Sequence, residues 1–546
     1  MRSMSKLWSL WIRVGLAALS GLLSGYAALA VAELVSAAVR PQASPVVAVG
    51  GAAIDRTPPA VKDWAIRHFG TNDKLVLQLG ILVVLALIAM VLGVIALRHR
   101  RIGAAGVLLF GVVGALAAIS RPDSTGGTDA LPSIVGTVVG AGLLFWLIGR
   151  LRTDRPTFHT VGDDENAGRP PAAVGAAGDG WDRRGFVVAA TAAAAASTGA
   201  GWLGLALNGS SGQSAVASRA KVILPRPVSP AAPVPKGAEL HIPGISPFFT
   251  PNPDFYRVDT ALVVPKVDAT TWRLTIHGKG VTRPRTVTFD DLIHGRAGEL
   301  IERDVTLACV SNEVGGPYVG NARWIGVRLA DLLREAGVVP PSKGGPADQL
   351  VARSVDGMTI GSPVDDVMDG RDAMLAVGMN GQPLPFEHGF PVRMLVPGLF
   401  GYVSACKWIE DIELTTFDAY DSYWVKRSWA RRGPIKTESR IDTPKPFARP
   451  AQGTVMVAGV AWAQHRGIDR VEIRVDDGPW QQADLAAQDS TDTWRQWSFP
   501  WKAATSGSHT LTVRATDRTG TVQTEQRTPT IPDGASGWHS VVVTVQ

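Results

Sequence analysis

The sequence predicts N-terminal transmembrane α-helices, then an α+β domain, then a C-terminal β-sandwich of immunoglobulin type. Three observations carry this reading. Long apolar runs crowd into residues 1–207. Strand-period and helix-period stretches mix over residues 241–418. Residues 451–546 show period-two stretches between turn signals and no long helical pattern. Composition agrees: of 546 residues, 46% are hydrophobic and 19% charged, with mean hydropathy +0.11. Such a chain is neither disordered nor of ordinary soluble make-up. Two cysteines exclude a disulfide scaffold, a cysteine-ligated zinc ribbon and a four-cysteine iron–sulfur site. The formal charge of +6 reflects arginines flanking apolar runs, so it implies no nucleic-acid partner.

The membrane region, 1–207, holds five predicted helices at about 14–36, 75–97, 102–120, 131–149 and 186–207. Each approaches the ~20 residues that span a hydrocarbon core, and five such runs are not one cleaved leader. Lys and Arg set the orientation: Arg2, Lys6 and Arg13; Arg98, Arg100 and Arg101; Arg150, Arg152 and Arg155; and Arg183 with Arg184 all fall on one side if the spans alternate. That side is expected to be cytoplasmic, which makes a multi-pass cell-membrane protein with everything after the fifth span extracytoplasmic. The basic residues of the 37–74 loop, on the outer side, run against this. His68, His99 and His159 lie in loops, so no haem is expected in the bundle. Glu33, near the outer end of the first span, reads as a functional carboxylate or a wetted helix end. The Ala- and Gly-rich fifth span suits close helix packing, and anchoring is the expected role of the bundle. Asp182-Arg183-Arg184-Gly185-Phe186-Val187-Val188 resembles a twin-arginine export signal and equally fits an ordinary positive flank.

Residues 208–240, rich in Pro, Ser and Ala, read as a semi-extended linker. In the α+β domain, 241–418, Trp272, Leu274 and Ile276 alternate with polar residues, as do Val305, Leu307 and Cys309. Leu329, Leu332, Leu333 and Ala336 keep helical spacing, with Gly337 as C-cap. A connector, 419–450, precedes the sandwich. There Val471, Ile473 and Val475 alternate ahead of an Asp477-Gly478 turn, and Leu511, Val513 and Ala515, then Val541, Val543 and Val545, form further strands.

Cys309 is the sharpest chemical feature, because it ends a strand and opens into Val310-Ser311-Asn312-Glu313-Val314-Gly315-Gly316. A thiolate there is placed to bind a soft metal, and a buried cysteine there also serves as a small hydrophobe. The stretches TLACVSNEVGG, GNARWIGVRLADLL, MNGQPLPFEHGFPVRMLVPG and CKW, in that order, resemble the sulfite oxidase family of molybdopterin-dependent oxidoreductases, here of a membrane-anchored bacterial type. The resemblance runs from about Phe255 to the C-terminus. It implies a molybdopterin-binding domain, then an immunoglobulin-like dimerisation domain and hence a homodimer.

By that resemblance Cys309 is the molybdenum ligand and, with Arg257, a catalytic residue. Phe255, Tyr256 and Arg257 match a segment whose arginine reaches the cofactor and an oxyanion substrate; His388 and Arg393 match pterin- and phosphate-binding positions. Asp356 and Lys407 match further pterin-binding positions, with Arg323 in the ARW motif beside Trp324. Asn312 is a pterin contact or a loop former, and His388 taken alone is equally a loop histidine held by backbone. Cys406 reads as small and buried. One departure stands out: DGMTIGSPVDDVMDG lacks the tyrosine that sulfite oxidases carry there, which unsettles sulfite as substrate; Tyr256, Tyr318 and Tyr402 lie elsewhere. No C-x-x-C-H haem site occurs, so a separate electron carrier is expected. The expected activity is two-electron oxo transfer on sulfite or a related small-molecule substrate. The alternatives are reduction of S- or N-oxides on the same scaffold, or a non-catalytic surface binding protein. Cytoplasmic cofactor assembly in this family would require export of a folded domain, which favours the twin-arginine reading.

Overall fold

The computed structural model describes residues 2–58, 61, 64, 68, 69, 73–121, 124, 126–152 and 183–546. Arg155, His159 and Asp182 lie outside the described residues, as do the side chains of Arg2, Lys6, Arg152 and Arg183. The chain divides into two compact units: Met1–Ser211 with Thr260–Val263, and Gly212–Asp259 with Val264–Gln546.

The first unit is a helical bundle built from α1 (Arg2–Val39), α2 (Pro45–Arg56), α3 (Asp73–Arg98), α4 (Arg100–Ile119), α5 (Leu131–Arg152) and the first part of α6 (Arg183–Ala220). Among the described residues, five helices are long and apolar enough to cross a membrane: Trp11–Val39, Lys74–Arg98, Arg100–Ile119, Gly127–Leu151 and Arg184–Ala220. The twelve-residue α2 falls in the predicted 37–74 loop and is too short to span. Small residues let the helices approach closely. A Cβ on Gly21 would sit 1.9 Å from the Ala89 carbonyl oxygen, one on Gly93 2.1 Å from that of Ala17, and one on Gly136 2.3 Å from that of Ala28. Glu33 accepts hydrogen bonds from Ser44 and Ser36, so its carboxylate is tied into the helix end and the loop beyond it. Nearby, Arg40 holds the fully buried Asp129 through two contacts, of 3.0 and 2.7 Å.

The fifth long helix does not stop at 207 but runs to Ala220, replacing the first third of the expected linker. Side-chain contacts hold its last turns: Ser214 donates to Asp268, Ser218 Oγ accepts from the Ala269 amide, and Arg219 donates to the carbonyls of Pro383 and Leu384. The rest of the expected linker is not a free spacer either. Val228 and Glu302 exchange backbone hydrogen bonds with Leu300 and Ser229, so the segment lies along β3.

In the second unit, one sheet has the order β2-β1-β10-β5-β6, and another β3-β4-β7-β8 with β9 paired to β7. The first comprises β1 (Arg273–Gly278), β2 (Arg285–Thr288), β5 (Gln349–Ser354), β6 (Thr359–Pro363) and β10 (Ile409–Thr415). The second comprises β3 (Leu300–Ala308), β4 (Val319–Arg328), β7 (Met374–Met379), β8 (Gln382–Pro383) and β9 (Arg393–Leu395). Leu274 and Ile276 are fully buried, as their alternation predicts. The predicted helix is α8 (Leu329–Glu335), following the short α7 (Phe289–Ile293), and Gly337 beyond it takes φ +83°. Strand β3 is buried on both faces along most of its length, so its alternation understates its burial.

The sandwich pairs a sheet of order β11-β12-β16-β15 with one of order β14-β13-β17-β18. Their main strands are β11 (Glu438–Thr443), β12 (Gly453–Trp462), β13 (Ile468–Val475), β16 (Arg495–Ala503), β17 (Gly507–Asp517) and β18 (His539–Val545), with β14 (Gln481–Gln482) and β15 (Asp484–Leu485) at the edges. The sandwich thus begins at β11, inside the expected connector. The two domains share a core, in which Val460, Trp462 and Trp494 join residues of the α+β domain. The fold is the expected one: apolar helices, an α+β domain and an immunoglobulin-like sandwich.

Candidate active site

Cys309 comes directly after the last residue of β3 and starts the loop to β4, which the pairing Ala308↔Val319 closes. The loop is stitched from within. The Cys309 amide donates to Tyr318 O (2.9 Å), the Asn312 amide to Cys309 O (3.1 Å), and the Tyr318 amide to Asn312 Oδ1 (2.8 Å). Asn312 therefore acts as a loop former. Gly315, at φ +78°, lies so close to His539 of β18 that a Cβ would meet the ring at 2.2 Å. Arg440 of β11 donates to the Gly316 carbonyl (2.8 Å), so the second domain grips this loop.

The Cys309 residue is 9% exposed, with its sulfur 2.9 Å from Ser311 Oγ. Burial pushes its thiol up, while the Ser311 hydrogen bonds and the Lys407 charge pull it down. Cys406 is a separate, fully buried free thiol, raised by its own burial.

Tyr256 and Lys407 lie within electrostatic reach of Cys309, Phe255 and Arg393 adjoin Tyr256, and His388 adjoins Phe255. Phe255 stacks on Tyr256 (5.2 Å between centroids) and presents its edge to Trp324 and His388. Burial and then the Cys309 thiol push the Tyr256 hydroxyl up, against the Arg393 charge. The stretch 356–370 holds no tyrosine, and Tyr256, from a different segment, lies in this cluster. Tyr402 is occupied elsewhere, donating to Ala430 O.

Arg393 is the most informative member. It is 6% exposed, its guanidinium lies 5.3 Å from the Trp324 ring centroid, and among the described residues its buried Nε has no hydrogen-bond partner. Burial holds its pKa below the usual arginine value. A buried guanidinium without a counter-charge is costly, and an anionic ligand would relieve that cost. Lys407, by contrast, is already paired: Nζ lies 2.7 Å from Asp259 Oδ2. Asp259 also lies 3.7 Å from Arg257 Nε, so it links the buried lysine to the exposed arginine. Gly389, at φ +109°, makes this packing feasible: a Cβ there would come within 3.1 Å of Lys407 Cβ and 3.2 Å of Arg393 Cβ.

His388 is 2% exposed, and burial, reinforced by Arg393, lowers its pKa to about 4. It is neutral at physiological pH. Its Nε2 lies 2.9 Å from the Asn252 carbonyl, which only accepts, so Nε2 carries the proton and Nδ1 is an acceptor. Beside it lies a cavity of about 510 Å³ walled by Arg219, Asn252, Asn380, Phe386 and Glu387.

Two expected residues stand apart. Arg323 pairs across the strands with Asp304, at 2.8 and 2.7 Å, because the register sets these residues opposite each other. Period two then puts Trp324, not Arg323, on the face toward Arg393. Asp356 sits in the β5–β6 turn, accepting from the Met358 amide (3.3 Å), and its charge acts on Cys406. Sequence reasoning missed Asp259, Ser311, Asn252 and Gly389. The first two were within reach, each lying two residues beyond a named site residue.

Among the described residues no group of three or more His, Cys, Asp or Glu could hold a metal ion. A metal at Cys309 would take this one thiolate from the chain and its remaining ligands from an organic partner. The orphaned Arg393 Nε fits a buried anionic group, and the neutral His388 Nδ1 fits a ligand N–H or O–H donor.

Comparison with known proteins agrees. Residues 261–424 match the family described as oxidoreductase molybdopterin binding domain, and residues 438–513 match that described as bacterial Ig domain. Mitochondrial sulfite oxidase of Mus musculus is 30% identical over 293 residues, which cover 46% of this chain and 53% of that protein. Nitrate reductase [NADH] 1 of Oryza sativa subsp. japonica is 34% identical over 185 residues, 30% of this chain and 20% of that protein. The solved sulfane dehydrogenase SoxCD from Paracoccus pantotrophus aligns with 55% of this chain and 84% of its own, at 24% identity and TM-score 0.46. The chain spans about half the length of the sulfite oxidases it matches. The family model and the sequence relatives place it in a distant relationship to molybdopterin oxidoreductases of the sulfite oxidase type.

Proposed function

We propose that this chain is a membrane-anchored molybdenum-cofactor oxidoreductase acting on sulfite or a related small oxyanion, with its catalytic domain on the extracytoplasmic side and a separate electron carrier. The observation that carries the reading is the buried Arg393, without an acidic partner among the described residues, which is joined to the Cys309 thiol through Tyr256 and neighbours the neutral His388.

When bound, the molybdenum–pterin group supplies two-electron oxo transfer. The chain's own residues supply the setting. Cys309 offers the thiolate, stabilised by Ser311 and the Lys407 charge. Arg393 would take the pterin's anionic end, while His388 Nδ1 would accept a hydrogen bond from a pterin N–H. Arg257, exposed and only loosely held by Asp259 at 3.7 Å, is free to orient an incoming anion at the mouth. Tyr256 offers a hydroxyl donor over the same space, its burial keeping the proton on oxygen. The distribution of Lys and Arg supports the outer placement, and Arg183-Arg184 would serve export of the folded domain.

The test is metal and pterin analysis of the full chain, purified from cells supplied with molybdate, beside Cys309→Ser. About one molybdenum per chain that is lost in the variant, with sulfite-dependent reduction of a dye acceptor, is the expected result. A folded wild-type chain without molybdenum overturns the cofactor; a loaded chain inert to sulfite overturns the substrate. An Arg257→Ala variant that keeps its metal and its kinetics removes Arg257 from substrate binding.

A further inference from the structure

The helical bundle contains more than an anchor needs. Between α1, α2, α3, α4 and α5 lies a cavity of about 780 Å³, within the ~300–1,000 Å³ range of small-molecule sites. Its wall is aliphatic almost throughout, with Leu22, Leu29, Leu77, Ile81 and Leu85 among its residues. Backbone contacts rather than long side chains fix its shape: α1 crosses α3 at Gly21 and Gly93, and α5 at Gly136 and Gly140, where an added Cβ would strike the facing helix. The space persists because the crossings cannot close further.

One polar feature interrupts the wall. Ser133, in the first turn of α5, is 2% exposed, and its Oγ has no hydrogen-bond partner among the described residues. A helical serine ordinarily satisfies itself on the carbonyl one turn back, as Thr137 does on Ser133 O at 2.7 Å. Ser133 instead sits over Gly114, whose missing side chain leaves it room: a Cβ there would lie 2.7 Å from Oγ. A buried hydroxyl without a partner, at the wall of an apolar cavity, calls for a ligand with an acceptor on an apolar body.

We propose that this cavity binds an isoprenoid quinone, with a ring carbonyl accepting from Ser133 Oγ and the prenyl chain along the aliphatic wall. A phospholipid acyl chain would fill the apolar length, but its ester carbonyl comes with a charged headgroup, for which the wall offers no charged side chain. A quinone has both parts and accepts two electrons, the number an oxo-transfer turnover releases. The choice of a quinone among ketone-bearing lipids leans on the oxidoreductase reading; the binding itself does not, and it is measured without turnover.

The experiment uses the full chain in nanodiscs, with decylubiquinone as probe and n-decane as the chain without an acceptor, each titrated by equilibrium binding. Two variants run alongside: Ser133→Ala, and Gly80→Phe, which projects into space that holds no atom within 4 Å of its Cβ. Neither residue belongs to the catalytic machinery, so molybdenum content and dye-linked activity serve as controls for folding. Saturable decylubiquinone binding is expected, weakened about 3- to 10-fold by Ser133→Ala, as for one lost hydrogen bond, and at least tenfold by Gly80→Phe. Organic extracts of the wild-type chain should contain quinone. The proposal is overturned if n-decane competes as well as the quinone, if both variants bind as wild type does, or if extracts hold phospholipid alone. Because binding is read on chains with or without molybdenum, its failure is distinct from failure of the catalytic reading.

Discussion

Replacing Arg393 by methionine should move two properties in opposite directions. In the chain without cofactor, a guanidinium 6% exposed lies against Trp324 with its Nε unpaired. Leaving a buried polar group unsatisfied costs roughly 1–3 kcal/mol, and more when it is charged. The contact with Trp324 returns up to about 2 kcal/mol of that. Methionine has similar length, no charge and a sulfur that packs well on an aromatic ring. Arg393→Met should therefore stabilise the cofactor-free chain by roughly 1–3 kcal/mol. With the cofactor present the sign reverses, because one charge-assisted hydrogen bond worth about 1.5–3 kcal/mol is lost, or roughly 10- to 150-fold in retention. Thermal unfolding of both proteins from cells with and without cofactor supply, with molybdenum counted per chain, reads both effects. A variant less stable than wild type without cofactor, or one retaining full molybdenum, would refute the assignment of Arg393 to a missing anion.

Three further outcomes rest on the same geometry. Asp304→Asn weakens the bidentate hold on Arg323, so denaturant unfolding should show a loss of about 1–3 kcal/mol, with molybdenum per folded chain unchanged; a selective loss of metal would return Arg323 to the site. Glu438 is buried at the start of the sandwich, with an unpaired Oε2, and burial raises its carboxyl from 4.5 to about 8. Since the folded value lies above the unfolded one, wild-type stability should fall as pH rises from about 4.5 to about 8 and level off beyond. Glu438→Gln should flatten that slope and be the more stable form at high pH, as denaturation at both ends of the range would reveal; parallel profiles would contradict the burial argument. In the cofactor-free chain, iodoacetamide should label Cys309 slowly at neutral pH and faster as pH rises, while Cys406 stays unlabelled until unfolding. Rapid labelling of Cys309 at neutral pH would show that burial does not govern its thiol.

Hydropathy locates the spanning helices to within a few residues wherever lipid-facing side chains mark their ends. It fails at α6, where Asn208-Gly209-Ser210-Ser211-Gly212 has loop composition. The helix continues because Ser214, Ser218 and Arg219 find partners more than fifty residues away in sequence, and local composition carries no trace of those partners. Cys309, His388 and Arg393 were singled out because their motifs resemble the sulfite oxidase family; position alone left Cys309 a small buried residue and His388 a loop histidine. The roles of Arg323 and Trp324 were not, since adjacent residues on one strand face opposite ways and only the cross-strand register decides which meets Arg393. The orphaned state of Arg393, the most diagnostic feature of the site, is a property of what is missing around it and has no sequence signature.

The grip of the sandwich on the loop after Cys309 has a consequence for how the site comes into being. Gly315 rests on His539 and Gly316 O on Arg440, while Thr306, three residues before the thiol, exchanges hydrogen bonds with Asp492, Trp494 and Gln464. A ribosome delivers the cysteine long before it delivers β18. Until that strand emerges and pairs with β17, the thiol's loop lacks one wall and stays open to solvent. The pocket around Cys309 therefore matures last, as a clasp that closes when β18 arrives, and a chain shortened before His539 would keep the thiol and its neighbours without the frame that sets them.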